Sequence, residues 1–281
     1  MPFAILETLS LPGNPYKTND DAFGHVDNAA VVLDGATSLG DPLMPGDSDA
    51  AWLAHFGARR LMAHVRDGDA PVDALRYALA DAQKSFEALR RRPPAQAWEI
   101  PFASMAFAVE APGGFDFLRF GDCAGLLARP GEAVEILGES FAAKAHEARL
   151  AAKSAKEKGV APAAADNLPE FLPMLRKARD RVNRGDHWLF SPDPRAADHV
   201  ARQHVAAPKG AMLLLASDGF LALATDYSAY TADSFFAKAV SGGLAALAEE
   251  LRAIEEADAD GRKFPRFKKS DDATAVLLRI A

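Results

Sequence analysis

The sequence predicts an α+β protein in which antiparallel sheets are covered by helices. Two observations carry this. Strand-like and helix-like stretches come in blocks, not in the strict alternation that a parallel sheet requires. A hairpin signal, Pro112-Gly113-Gly114 between two alternating apolar runs, makes at least one pair of strands antiparallel neighbours.

Taken in order, Ala4 to Leu11 reads as a strand, and LPGNPYKTNDD after it is rich in turn-forming residues. The stretch His25 to Asp34 contains the apolar run AAVVL. From Asp47 the period changes: Asp47-Ser48 is a capping pair, and Trp52, Phe56, Arg60 and Leu61 follow at helical spacing. Pro71 opens a second helix with Val72, Leu75, Leu79, Ala82, Phe86 and Leu89 on one face, and RRRPP ends it. SMAFAVEA and FDFLRFGD form the hairpin, and GLLARPG is expected to extend it to a three-stranded meander. Residues 139 to 187 are charged and Ala-rich and read as a helical insertion, KAHEARLAAKSAKEKG and FLPMLRKARDRVNRGD, separated by GVAPAAADNLP. The insertion is either a pair of solvated surface helices or a cap whose Lys and Arg meet an anionic substrate. Strands return with WLF and AMLLLAS, with HVAAPKG read as a turn region between them. Ala232 to Ala257 is expected to be one helix, Lys263 to Ser270 a basic loop, and Ala273 to Ile280 the last strand.

Composition narrows the function classes. About half of the 281 residues are hydrophobic and a quarter are charged, as in ordinary globular proteins. Acidic residues outnumber basic ones, 39 to 32, and no basic stripe is available to neutralise phosphates, which argues against nucleic acid as partner. Cys123 is the only cysteine, so no internal disulfide forms and a reducing, cytoplasmic location is expected. The start, MPFAILETLSLPGN, lacks the pattern of a secretory signal, and no apolar window is long enough to predict a membrane span.

Carboxylates interrupt the apolar runs. Asp218 ends MLLLAS, Asp34 ends AAVVL, Asp122 follows LRFG, and Asp271-Asp272 precede the last strand. Taken singly, an Asp-Gly step is a turn. A charge at the mouth of a core, however, is costly unless it is paired or bound to a metal. Carboxylates about 4 Å apart repel by roughly 4 kcal/mol at an effective dielectric near 20, so a cluster needs a cation. All-oxygen ligation points to Mg²⁺ or Mn²⁺, and none of the histidines is spaced as a metal pair beside these aspartates. Cys123 reads as a small buried hydrophobe, the alternative being a redox-sensitive thiol, and Trp188 as a packing residue, the alternative being one that binds substrate. The basic stretch Arg262 to Lys269 reads as a solvated loop, or as a rim that attracts phosphorylated substrates.

The ordered set NDDAFG, VVLDGATS, FGDCAGLL, LLLASDGFL and KSDDATAVLL resembles the metal-dependent protein phosphatases of type 2C, over Asn19 to Ile280. The resemblance implies a single domain over residues 1–281: a β-sandwich of two antiparallel sheets flanked by helices in four α-β-β-α layers. It implies a protein-serine/threonine phosphatase with two Mg²⁺ or Mn²⁺ ions and a metal-bridging hydroxide as nucleophile. Carried over residue by residue, Asp21, Asp34, Asp218, Asp271 and the carbonyl of Gly35 would bind the metals. Asp20 would act through a water, and Asp122 would match the ligand of a third, weaker ion. Catalysis would thus run through Asp34 and Asp218, with no protein nucleophile. This sequence departs from the pattern at five places. Tyr16, with Lys17 beside it, stands where many members have a phosphate-gripping arginine, which makes Lys17 and Tyr16 the substrate-binding candidates. Ala36-Thr37-Ser38 replaces further glycines, Asp20 stands for Glu, Asp272 for Asn, and Ala222 for a third-metal Asp. The alternatives are a phosphatase of small phosphorylated metabolites and a catalytically silent member that binds a phosphorylated partner.

Overall fold

The computed structural model describes residues 2–138, 153, 159, 161, 163, 172–266 and 268–281. Its described strands form two five-stranded antiparallel sheets. The first runs in the order β1 (Phe3–Leu11), β10 (Ala273–Ile280), β9 (Met212–Ala216), β6 (Ala124–Ala128), β7 (Glu135–Leu137). The second runs β2 (Asp21–Val26), β3 (Ala29–Gly35), β4 (Ala103–Ala111), β5 (Gly114–Phe120), β8 (Ala201–Ala206).

The continuous apolar runs follow from burial on both faces. Side chains alternate across a strand. On β3, Val31 and Leu33 pack against the helices α1 (Asp49–Arg66) and α2 (Pro71–Leu89), while Ala30 and Val32 point at the opposite sheet. On β9, Leu213 and Leu215 join that same inner layer, and Leu214 and Ala216 face outward. Beneath them lie α5 (Ala232–Gly242) and α6 (Leu244–Ala257). The inner layer is filled by Phe3, Phe115, Phe117, Val276 and Leu278 among others. The molecule is therefore the four-layer α-β-β-α sandwich that the resemblance implied.

Local chemistry sets the helix limits. Ser48 caps α1 by accepting from Ala51 N at 3.1 Å. The face that α1 buries deepest is Leu53, Ala54, Gly57, Ala58, Leu61 and Val65, with Trp52 and Phe56 only partly covered. Small residues let the helix approach the sheet closely: a Cβ on Gly57 would come within 2.6 Å of the Phe190 ring.

Four expectations are corrected. WLF is not a strand: of its residues only Phe190 pairs, in an isolated bridge with Ala103. The meander does not form, because β6 leaves the β4–β5 sheet and pairs with β7 and β9 in the other. The crossing happens at Gly121, whose φ of +63° favours glycine, followed directly by Asp122. The expected helix from Ala232 to Ala257 is two, broken at Gly243 with φ +84° and ψ 160°. The supposed turn HVAAPKG overlaps an exposed edge strand, β8, whose alternation is hidden because only Val205 in it is buried. Of the insertion, a helix α3 (Leu172–Arg179) is described; KAHEARLAAKSAKEKG lies outside the described residues apart from Lys153 and Gly159. Among the described residues no helix is long and apolar enough to cross a membrane.

Candidate metal centre

The carboxylates meet where strand ends of both sheets converge. Asp21 opens β2 and pairs in register with Asp34, near the end of β3, which in turn pairs with Ser104 on β4. All three lie on the strand face that points toward the other sheet. From that other sheet come Asp218, opening the short helix α4 (Asp218–Leu221) directly after β9, and Asp271, just before β10. Antiparallel pairing of β9 with β10 brings these two ends together, reinforced by Ser217 N to Thr274 O at 2.9 Å and Thr274 N to Ser217 Oγ at 2.9 Å.

Carboxylate oxygens of Asp34, Asp122 and Asp218 lie within 4.8 Å of one another. At that spacing each ionised pair repels by about 3 kcal/mol or more, at an effective dielectric near 20. Burial is the largest cause pushing the Asp34 carboxyl well above its ordinary range, followed by repulsion from Asp21, Asp218, Asp122 and Asp271. Asp21 is buried and is pushed up in the same way, with the Ser217 side chain pulling in the other direction. Its Oδ2 is buried without a hydrogen-bond partner, an arrangement that costs free energy unless a cation is near. Oxygen donors alone, mutually repelling and one of them orphaned, fit a hard divalent cation.

Neighbouring residues hold this geometry. Ser104 Oγ donates to Asp122 Oδ1 at 2.6 Å, and Gly121 makes room for that bond, since a Cβ there would meet Ser104 Oγ at 2.2 Å. Gly35 is packed so tightly that a Cβ would come within 2.5 Å of the Asp20 carbonyl oxygen. Asp20 accepts from Ser48 Oγ, and burial first, then repulsion by Asp272, raises its carboxyl above the ordinary value. Asp272 is a hub that sequence reading left without a role. It accepts from Gly13 N at 2.7 Å and Asp20 N at 2.6 Å, tying the loop before β2 to the start of β10. Arg252 on α6 donates to the Asp271 carbonyl at 2.9 Å and to Glu255 at 2.6 Å, fixing the same corner from outside.

A cavity of about 960 Å³ opens over the cluster, lined by Asp34, Gly35, Asp122, Asp218 and Asp271. Ala222 also lines it, and no carboxylate stands at that position. Tyr16 is 95% exposed and Lys17 is exposed, and neither lines the cavity. The cations that do line it include Arg179, from α3, and Lys268, from the basic loop. Trp188 borders the cavity while stacking on His199, ring centroids 3.8 Å apart. Cys123 is fully buried, and burial first, then the nearby carboxylates, pushes its thiol well up.

No family model matches the chain, and no curated protein matches it. Solved structures do, over essentially full length. The serine/threonine phosphatase PstP/Ppp of Mycobacterium tuberculosis aligns at 16% identity and a TM-score of 0.56, covering 100% of this chain and 99% of its own. The PPM Ser-Thr phosphatase MsPP of Mycobacterium smegmatis, solved with cacodylate, aligns at 17% and 0.54, covering 99% of this chain and all of its own. The catalytic domain of PstP, solved with two manganese ions, aligns at 16% and 0.51 over 99% and 98%. The chain thus has the fold of the PPM serine/threonine phosphatases. At these identities the likeness is one of fold.

Proposed function

We propose that this protein is a divalent-metal-dependent phosphomonoester hydrolase, acting on phosphoserine or phosphothreonine in a protein substrate, with residues 1–281 as one catalytic domain. The observation that carries the reading is the mutually repelling, partly orphaned carboxylate cluster at the floor of a large cavity, on a fold shared with PPM phosphatases. Asp21, Asp34, Asp218, Asp271 and the Gly35 carbonyl would hold two Mg²⁺ or Mn²⁺ ions, with Asp20 acting through a water and Asp122 within reach as a further ligand. When bound, two such cations acidify water and shield both entering and leaving oxygens of an in-line displacement at phosphorus.

The chain's own residues then orient and exclude. Asp34 and Asp218, anchored by strand ends of opposite sheets, fix the direction from which the phosphoryl group is approached. Ser104 keeps Asp122 turned toward the same point. Neither Cys123 nor Ser217 is disposed as a nucleophile: Cys123 is buried with a raised thiol, and Ser217 is buried and bonded to Thr274. A role in intracellular phosphorylation signalling follows as part of the same proposal.

The test is hydrolysis of para-nitrophenyl phosphate with and without Mn²⁺ or Mg²⁺. Turnover should require the metal and fall by at least about 10³-fold in Asp218→Asn, a loss of about 4 kcal/mol of transition-state stabilisation. Tight metal binding without turnover would favour a silent binding module. The size of the cavity favours one second reading, a small phosphorylated metabolite enclosed within it. Comparing phosphopeptides with a metabolite panel separates the two.

A further inference from the structure

Arg179 and Lys268 come from segments far apart in the chain and meet at one residue, Thr37, three positions after Asp34. Arg179 Nη1 donates to the Thr37 carbonyl at 2.7 Å, and Lys268 Nζ lies 3.3 Å from Thr37 Oγ1. Lys268 also pairs with Asp271 Oδ1 at 3.0 Å. Both side chains line the cavity beside Asp34 and Asp218. The Arg179 guanidinium lies over the Phe102 ring, 5.2 Å from its centroid, so its stem and one face are fixed. Of the five N–H donors that an arginine carries, Thr37 engages one, and among the described residues no carboxylate forms an ion pair with Arg179.

Arg176, one turn earlier on α3, shows what a mere tether looks like. It donates to the Leu39 carbonyl at 2.7 Å and sits 4.2 Å over Trp98, but it does not line the cavity over the carboxylates. Arg176 and the Arg179–Thr37 bond each tie α3 to the loop after β3, so either tether remains when the other is removed. Arg179 adds a fork of donors to the cavity wall, a group whose geometry matches phosphoryl oxygens. Burial lowers its pKa to about 10, with Asp20 opposing, which leaves it cationic at neutral pH and partly stripped of water.

We propose that Arg179 is the bidentate grip on the substrate's non-bridging phosphoryl oxygens, with Lys268 as a second point charge across Thr37. The proposal rests on the phosphatase reading for its substrate, but it makes a separate demand. The phosphate cation of this chain comes from the segment between β7 and β8, not from the loop before β2, where Tyr16 and Lys17 point into solvent.

The test uses the full-length protein loaded with Mn²⁺ and inorganic phosphate as the probe, titrated by calorimetry, alongside para-nitrophenyl phosphate kinetics. Arg179→Met should weaken phosphate binding by about tenfold or more, the loss of a charge-assisted bidentate contact. KM should rise with it. Arg179→Lys should recover part of the affinity, since it keeps the charge and loses the fork. Arg176→Met should leave phosphate affinity within about twofold, and Mn²⁺ affinity should be unchanged in all three variants. If Arg179→Met binds phosphate as wild type does, or if Arg176→Met loses as much, the grip is elsewhere and the proposal fails. Absence of phosphate binding in the wild type would also overturn it. Phosphate binding that depends on Arg179 without any turnover would instead count against the hydrolase reading alone.

Discussion

A carboxyl group as buried as that of Asp21 keeps its charge only against a counter-charge, and the nearest residues offer mostly further negative charge. Asp21 and Asp34 have folded-state values raised above the ordinary carboxylate value of 3.8. The metal-free protein is therefore most stable, as far as these groups are concerned, below that value, and loses stability as pH rises through the raised values. Asp21→Asn should raise the thermal midpoint of the metal-free protein at pH 7 by a few degrees, at about 2 to 4 °C per kcal/mol of relieved repulsion. The same variant should lose much of the midpoint increase that Mn²⁺ confers on the wild type. Thermal denaturation with chelator and with Mn²⁺ measures both, and a lower midpoint in chelator would contradict the repulsion. Asp34, Asp122, Asp218 and Asp271 were legible in the sequence because each interrupts or borders an apolar run, whereas Asp20 and Asp21 stood out only through the resemblance carried by NDDAFG. Asp272 was legible only as an acid before the last strand, and Ser104 and Arg252 were not legible as site residues, because a polar side chain carries no mark of its partners until the fold brings them together.

At the scale of elements, two local structures carry their own tests. Gly243 separates α5 from α6 with backbone angles that only glycine adopts readily. Gly243→Ala should cost about 1 to 3 kcal/mol in urea unfolding while leaving activity per folded molecule intact. Equal stability would mean that the break can be re-formed without strain. Glu99 closes a 3-10 turn, Ala97–Glu99, that follows α2. Arg92 reaches it through two bonds, 3.1 and 2.6 Å, and the amides of Ala95 and Gln96 also donate to it. These hold its carboxyl at about 2, below the ordinary 4.5. Its contribution is thus complete above pH 4.5 and disappears as pH falls through about 2. Glu99→Gln should be modestly less stable than wild type at pH 7, solvent screening at Arg92 limiting the effect, and the gap should close on acidification. A gap independent of pH would assign the loss to packing. The helix break at Gly243 escaped sequence reading because Phe235 through Ile254 stay roughly in phase across it. Edge strand β8 escaped because only Val205 in it is buried.

Across the whole molecule, stability rests on an inner layer that both sheets share. Phe117 on β5 stands opposite Ala108 on β4 and fills that layer. Phe117→Ala should cost about 3 to 5 kcal/mol, read from the denaturation midpoint. A loss below about 1 kcal/mol would mean that the two sheets do not depend on one another for packing. Because metal ligands hang from the ends of both sheets, a variant that loosens the inner layer should also bind Mn²⁺ more weakly.

Most strand runs, the Ser48-capped helix α1, the proline-started helix α2 and the acidic punctuation of the apolar segments can be read from the amino-acid order alone. Those features are local: burial on both faces makes a strand read as an unbroken apolar run, and a charge inside such a run stands out at once. Which strands share a sheet depends on long-range pairing. The tertiary structure sent β6 across to pair with β9, set Asp34, Asp122 and Asp218 within 4.8 Å of one another, and brought Arg179 and Lys268 together on Thr37. Those contacts join residues far apart in the chain, and no local periodicity or spacing encodes a distance that is closed by the packing of two sheets.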